Sequence, residues 1–176
     1  MIRYYVTDRR QGDVLSFAVR AIAQGVDMIQ VREKDLPGGE LFDLVSNIRD
    51  LAAGTKTRVL VNDRLDVALA AGVDGVHLPS NGLPAGRVRP LVKLLGVSVH
   101  TLEETIAAES AAADFVVFGP VFDTPGKAAV GLEPLRKITS SVKIPVLAIG
   151  GITPERTKEV LAAGAAGIAG IRLFQT

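Results

Sequence analysis

Cysteine is absent from the chain, which excludes disulfides, thiolate nucleophiles and thiolate metal sites. Tryptophan is absent too and aromatics reach only 5%, so Val, Ile, Leu and Ala must fill the core. That composition suits small β/α repeats better than a β-sandwich. No apolar run approaches the ~18 residues of a membrane span. The opening Met1-Ile2-Arg3-Tyr4-Tyr5-Val6-Thr7-Asp8 lacks the apolar stretch of a signal peptide. Neither sign of charge dominates: 20 basic residues face 19 acidic ones, with no run of Lys or Arg. Nucleic acid and membrane surfaces are therefore not expected partners. A soluble cytoplasmic protein is expected. The two histidines, with no carboxylates at ligand spacing, argue against zinc.

What is present is a steady alternation of short β-rich runs with helical patterns, the signature of parallel βα units. Strands are expected at Arg3–Thr7, Met28–Arg32, Arg58–Val61, Gly75–Leu78, Leu95–Val99, Phe115–Gly119, Val146–Ile149 and Gly167–Ile171. Between them, Leu41, Leu44, Val45, Ile48 and Leu51 mark one face of an amphipathic helix. Thr101, with Glu104 three residues on, reads as a capping box, and Thr153-Pro154 as another helix start. Eight such units give a (β/α)8 TIM barrel in one domain over residues 1–176, short for a fold that usually runs about 250 residues. The chain ends soon after the eighth strand, so the eighth helix is missing and an apolar strip of barrel wall needs another cover.

A weak repeat supports the barrel. Ala23-Gln24-Gly25-Val26-Asp27, Ala70-Ala71-Gly72-Val73-Asp74 and Ala111-Ala112-Ala113-Asp114 each close a helix and open a strand, and Ala162-Ala163-Gly164-Ala165-Ala166 is a looser copy. Glycine fits the left-handed position that ends many helices.

Catalytic groups of such barrels sit just beyond the strands. Those positions hold Asp8, Arg32, Lys34, Asn62, Asp63, His77, Ser98, His100, Thr124, Lys127, Gly150, Gly151 and Arg172. Arg32, Lys34 and Lys127 suit phosphate oxygens, and Asp63 suits Mg²⁺ beside a polyphosphate. Gly150-Gly151-Ile152-Thr153 precedes a helix N-terminus that favours a phosphate, with Gly170 to Arg172 closing the pocket. Each feature has a plainer reading. Arg32 and Lys34 can pair with Glu33 and Asp35 in a solvated loop, Asp63 can cap a helix, and both histidines can be structural.

The segments Ile29-Gln30-Val31-Arg32-Glu33-Lys34-Asp35, Val61-Asn62-Asp63-Arg64, Asp74-Gly75-Val76-His77-Leu78, Gly96-Val97-Ser98-Val99-His100-Thr101, Phe118-Gly119-Pro120-Val121-Phe122 and Ala148-Ile149-Gly150-Gly151-Ile152-Thr153 occur in order. Together they resemble the thiamine phosphate synthase and TenI superfamily over nearly the whole chain. The resemblance implies a homodimeric barrel joining hydroxymethylpyrimidine diphosphate to a thiazole phosphate with release of pyrophosphate. It implies that Gln30, Arg32, Lys34 and Asn62 take the pyrimidine diphosphate and that Asp63 takes Mg²⁺. Ser98 and Lys127 would hold the pyrimidine and pyrophosphate. Thr124 and Gly151, with Gly150 and Gly170 beside them, would hold the thiazole phosphate. The chain departs from the family at Gly82, where synthases carry a second acidic metal ligand, leaving Asp63, Asn81, water and the diphosphate to hold the metal. It departs again at Gly126, where a second Thr is usual. The loop His77-Leu78-Pro79-Ser80 leans toward the TenI thiazole tautomerases, yet Pro120 stands where those carry a catalytic His. Synthase, tautomerase and a non-catalytic thiamine-pathway phosphate binder are the three functions these residues leave open.

Overall fold

The computed structural model describes residues 1–175. Eight parallel strands close on themselves in sequence order: β1 Ile2–Val6, β2 Met28–Val31, β3 Arg58–Asn62, β4 Gly75–Leu78, β5 Leu94–Val99, β6 Phe115–Phe118, β7 Val146–Ile149 and β8 Gly167–Gly170. The seam is β1 against β8, with Ile2 opposite Gly167 and Tyr5 opposite Gly170. Seven α-helices lie outside: α1 Val14–Ala23, α2 Gly38–Ala52, α3 Leu65–Ala71, α4 Ala85–Val88, α5 Leu102–Ser110, α6 Leu132–Ser141 and α7 Pro154–Ala162. Every expected strand is present, with ends shifted by a residue or so.

Period-two alternation divides the core into two clusters. Tyr5, Ile29, Val59, Val61, Val76, Leu95, Val97 and Val116 pack outward against helices. Their neighbours Tyr4, Met28, Leu60, Phe115, Val117, Leu147 and Ala169 fill the lumen. Gly96 keeps that lumen packable, since a Cβ there would lie 2.4 Å from Phe115 and 2.6 Å from His77. The α2 stripe is buried at Leu41, Val45 and Ile48, but Leu51 is exposed at the end of the helix.

After β8 the chain makes a single 3₁₀ turn, Arg172–Phe174. Phe174 folds back into the core edge-on to Tyr5, with Arg3 over its ring. That buried aromatic packs on the outer face of the barrel beside the β1–β8 seam.

The repeat has a structural meaning beyond its turns. All four copies end their helix with the same pair of bonds, as in Val26 N–H to Ala21 C=O and Gly25 N–H to Ile22 C=O. That is the Schellman pattern, which needs one left-handed residue. In the three strict copies the following Asp clips two strands at the floor of the barrel. Asp27 accepts from Arg3 N (2.7 Å), Asp74 from Val59 N (2.8 Å) and Asp114 from Leu95 N (2.7 Å). The floor therefore carries stability and the opposite rim is free for chemistry.

Ala112 fills in one copy the place of Gly25 and Gly72, at φ 59°. A Cβ in that region costs about 1–2 kcal/mol, offset in part by the greater freedom glycine has when unfolded. Ala112→Gly is expected to stabilise the protein by about 0.5–1 kcal/mol in urea titration, and a net loss would refute the strain.

Both expected helix starts form. Thr101 Oγ1 accepts from Glu104 N (3.1 Å) and Thr153 Oγ1 from Arg156 N (3.3 Å). The Glu104 carboxylate reaches one residue further back than a standard capping box, to His100 N (2.6 Å).

Candidate active site

Above the apolar lumen floor the strand ends are chemically divided. On β2 to β5 the lumen-facing parity brings up Gln30, Asn62, His77 and Ser98. On β6 to β8 the same parity brings up Val117, Leu147, Ile149 and Ala169. Half of the upper lumen is therefore polar, although the strands read as mostly apolar runs. Gln30, Asn62 and His77 are buried and Ser98 is half-buried. The group is internally bonded. Gln30 Nε2 donates to Tyr4 Oη (3.1 Å), Tyr4 Oη lies 3.2 Å from His77 Nδ1, and His77 Nε2 lies 2.8 Å from Ser98 Oγ. Burial, and secondarily the Arg32 charge, push the imidazole down to about 3, so His77 is neutral.

The loops after β1 and β2 settle the two readings of Arg32 and Lys34. Glu33 does not pair with either cation. It turns inward, buried, and accepts from Thr7 Oγ1 (2.6 Å) and from Arg9 N (3.1 Å to each oxygen). Thr7 Oγ1 in turn accepts from Arg32 N (3.0 Å), fixing the backbone from which that guanidinium projects. Asp35 is taken by Arg9 at 2.5 Å, which also holds its carboxyl below the usual range. Among the described residues no carboxylate pairs with half-buried Arg32 or exposed Lys34. The self-paired loop is therefore not what forms.

Asp63 follows β3 at φ 63°, a left-handed conformation that costs an Asp less than most residues. Its N–H is fixed by His77 C=O (2.9 Å), but its exposed carboxylate caps nothing, since α3 begins without a side-chain cap. The loop after β4 folds over it. A Cβ added to Gly82 would stand 3.1 Å from Asp63 Oδ1 and 2.9 Å from Pro79. An acidic side chain at 82 would thus adjoin Asp63, so in this chain a single carboxylate stands where two would fit. Asn81 lies exposed beside Gly82. One carboxylate still suits Mg²⁺, which commonly takes one or two from protein and the rest from phosphate and water.

The remaining candidates lie on the loops after β6, β7 and β8. Thr124-Pro125-Gly126-Lys127 is a tight turn closed by paired bonds between Thr124 and Lys127 (3.1 and 3.0 Å), with Gly126 at φ 79°. Pro followed by left-handed Gly is type II turn chemistry, which accounts for Gly126 where the family has a second Thr. Lys127 projects from that turn, exposed and without an anionic partner among the described residues. The turn is closed by its own backbone bonds and shares none with the His77–Ser98 network of the lumen. Gly150 and Gly151 lie beneath the β6 loop at φ 96° and 62°, and a Cβ on Gly150 would meet Pro120 at 2.4 Å. Arg156 secures them from α7, stacked 4.6 Å over Phe122 and donating to Gly151 C=O (3.0 Å). Ile149 and Ala169 are register partners, so Gly150 and Gly170 share one level of the rim. His100 stands apart, its Nδ1 3.1 Å from the Gly119 carbonyl.

The strand ends thus collect Gln30, Arg32, Asn62, Asp63 and Ser98 on one side, and on the other Gly150 and Gly151 before α7 with Gly170 at the end of β8. Sequence reasoning missed Tyr4, Thr7 and Glu33 as parts of this site. Tyr4 reads as ordinary core, and only the lumen parity of β1 would have shown it.

Fold and rim together define a (β/α)8 barrel whose mouth carries unpaired cations and a free carboxylate on one side and a glycine-lined helix start on the other. The sequence profile of the thiamine monophosphate synthase family matches residues 3–174. A solved structure of thiamine phosphate pyrophosphorylase from Pyrococcus furiosus superposes with a TM-score of 0.90 at 40% identity, covering 97% of this chain and 85% of that one. The thiamine-phosphate synthase of Methanoculleus marisnigri is 42% identical over 94% of this chain and 83% of its own. That of Moorella thermoacetica is 44% identical over 84% of this chain and 74% of its own. The chain belongs to the thiamine monophosphate synthase family.

Proposed function

We propose that this protein joins hydroxymethylpyrimidine diphosphate to a thiazole phosphate, forming thiamine phosphate and releasing pyrophosphate. The observation that carries this reading is the inward turn of Glu33, which leaves Arg32 and Lys34 un-neutralised at the mouth that also holds the free Asp63 carboxylate. A rim prepared in that way suits a leaving diphosphate.

In this reading Arg32, Lys34 and Lys127 hold the diphosphate oxygens. Gln30, Asn62 and Ser98, the polar half of the lumen, take the pyrimidine. Gly150, Gly151, Gly170 and Thr124 seat the thiazole phosphate, where the first N–H groups of α7 and its dipole favour an anion. The bond from the pyrimidine methylene to the diphosphate oxygen breaks, its electron pair leaving with pyrophosphate. The thiazole nitrogen lone pair then forms the new C–N bond, and no side chain needs to remove a proton. Catalysis is positional and electrostatic. Asp63 would hold Mg²⁺, which when bound supplies charge neutralisation of the pyrophosphate. For the tautomerase alternative, Pro120 packs on Gly150, His77 is committed at both ring nitrogens to Tyr4 and Ser98, and His100 is held through Nδ1 by the Gly119 carbonyl, away from the His77–Ser98 network. A homodimer in the cytoplasm belongs to the same reading and rests on the family resemblance. No helix among the described residues is long and apolar enough to cross a membrane.

The test is turnover of the two phosphorylated substrates by purified protein in Mg²⁺ and in EDTA. Thiamine phosphate is expected with Mg²⁺, at a rate falling at least about a hundredfold in EDTA and in Asp63→Ala. Phosphate ligands that bind without any product would leave a binder in place of an enzyme.

A further inference from the structure

The lumen relay has a direction, and that direction sets what Ser98 can do. The Gln30 carboxamide nitrogen is a donor only, so at 3.1 Å the Tyr4 oxygen accepts from it. Tyr4 then has its own proton to place, and the neighbouring acceptor is His77 Nδ1 at 3.2 Å. A neutral imidazole whose Nδ1 accepts must carry its hydrogen on Nε2. Nε2 lies 2.8 Å from Ser98 Oγ, which therefore accepts from His77 and keeps its own proton free.

We infer that Tyr4 and His77 are positioning residues that fix Ser98 as a hydrogen-bond donor toward the bound substrate. The inference rests on the proposed function only in taking Ser98 as a substrate-binding group. Both conditions it needs are supplied by the surroundings. Tyr4 and His77 are almost wholly inaccessible, at 0% and 2%. Among the described residues no carboxylate bonds to either. Burial also raises the Tyr4 phenol well above its ordinary value, so its proton stays in place. Phe115 packs edge-on against Tyr4 at 5.3 Å and also contacts the His77 ring, restricting both.

The consequence is a rule of specificity. A heteroaromatic ring that offers a lone pair at Ser98 is matched, whereas one offering an N–H there meets the hydroxyl proton. Nothing on the apolar half of the lumen supplies an alternative donor.

The experiment reads the tautomer directly in ligand-free protein, by long-range ¹H–¹⁵N correlation of ¹⁵N-histidine-labelled samples. His77 is expected as the Nε2–H form alone. Tyr4→Phe, which deletes the relay proton together with the acceptor for Gln30 Nε2, is expected to mix the tautomers and to raise KM for the pyrimidine substrate about tenfold with a smaller change in kcat. The same exchange made in a Ser98→Ala background is expected to add less than about twofold, because the proton it controls is gone. An Nδ1–H tautomer in the wild-type protein overturns the inference whatever the activity. So does an undiminished Tyr4→Phe effect on Ser98→Ala. An Nε2–H tautomer without turnover upholds the wiring and counts against the proposed reaction alone.

Discussion

Replacing Glu33 by alanine is expected to cost about 3–5 kcal/mol of folding stability and to slow turnover at least tenfold, although its carboxylate faces away from the cations at the mouth. Glu33 holds the loops after β1 and β2 together through Thr7 Oγ1 at 2.6 Å and Arg9 N at 3.1 Å. Hydrogen bonds to a buried charge contribute about 1.5–3 kcal/mol each, and alanine would leave the Thr7 hydroxyl buried without its acceptor and the part-buried Arg9 N–H without a partner. Part of this is offset because the carboxylate no longer has to be desolvated. Denaturant titration separates the two terms. A loss below about 1 kcal/mol would mean that desolvation cancels the bonds and that Glu33 is energetically idle. Glu33→Gln keeps the shape and one acceptor and should fall between the extremes.

The turnover effect has a separate origin. Thr7 Oγ1 both donates to Glu33 and accepts from Arg32 N at 3.0 Å, so the carboxylate sets the backbone that carries the guanidinium. A displacement of an ångström at a charge-stabilising group is enough for a loss of ten- to a hundredfold. If stability falls while kcat holds, Arg32 is positioned by something other than this chain of bonds.

Glu33 also shows where sequence reading ends. The alternation of elements, the Thr101 and Thr153 caps and the left-handed helix ends were legible because each depends on residues within a few positions of one another. The level of the site was legible for a related reason, since parallel βα units must put their strand ends on one rim. Glu33 between Arg32 and Lys34 looks the same whether it pairs with them or turns inward. What decides the matter is Thr7 and Arg9, some two dozen residues earlier and brought alongside by the β1–β2 pairing. Tyr4 was hidden likewise. A barrel strand is buried on both faces, so a buried aromatic does not announce whether it packs against helices or carries a proton inside. The burial of Phe174 was not legible either, since it depends on Tyr5 and Arg3 at the far end of the chain.

The second large effect concerns pH. Stability of the metal-free protein is expected to decline below pH 6.5, reaching the slope of one proton, about 1.4 kcal/mol per pH unit, by about pH 5.5, ahead of most carboxylates. The sign follows from His77. Burial lowers its folded-state value to about 3, whereas the unfolded chain has the ordinary 6.5. Between these limits the unfolded state binds a proton that the folded state refuses, so acid favours unfolding. The contribution is complete above pH 6.5, shrinks as pH falls, and is exhausted near pH 3. At pH 4.5 the loss should approach ~2.5 kcal/mol, ahead of carboxylates such as Asp8, which Arg10 holds below its usual range. His77→Gln keeps one donor and one acceptor but cannot titrate. It should be less stable than wild type at pH 7.5 and nearly flat between pH 6.5 and 4.5, so that the two stability curves converge. Parallel curves would show that His77 takes up its proton inside the fold, and the lumen would then be wetter than its packing implies.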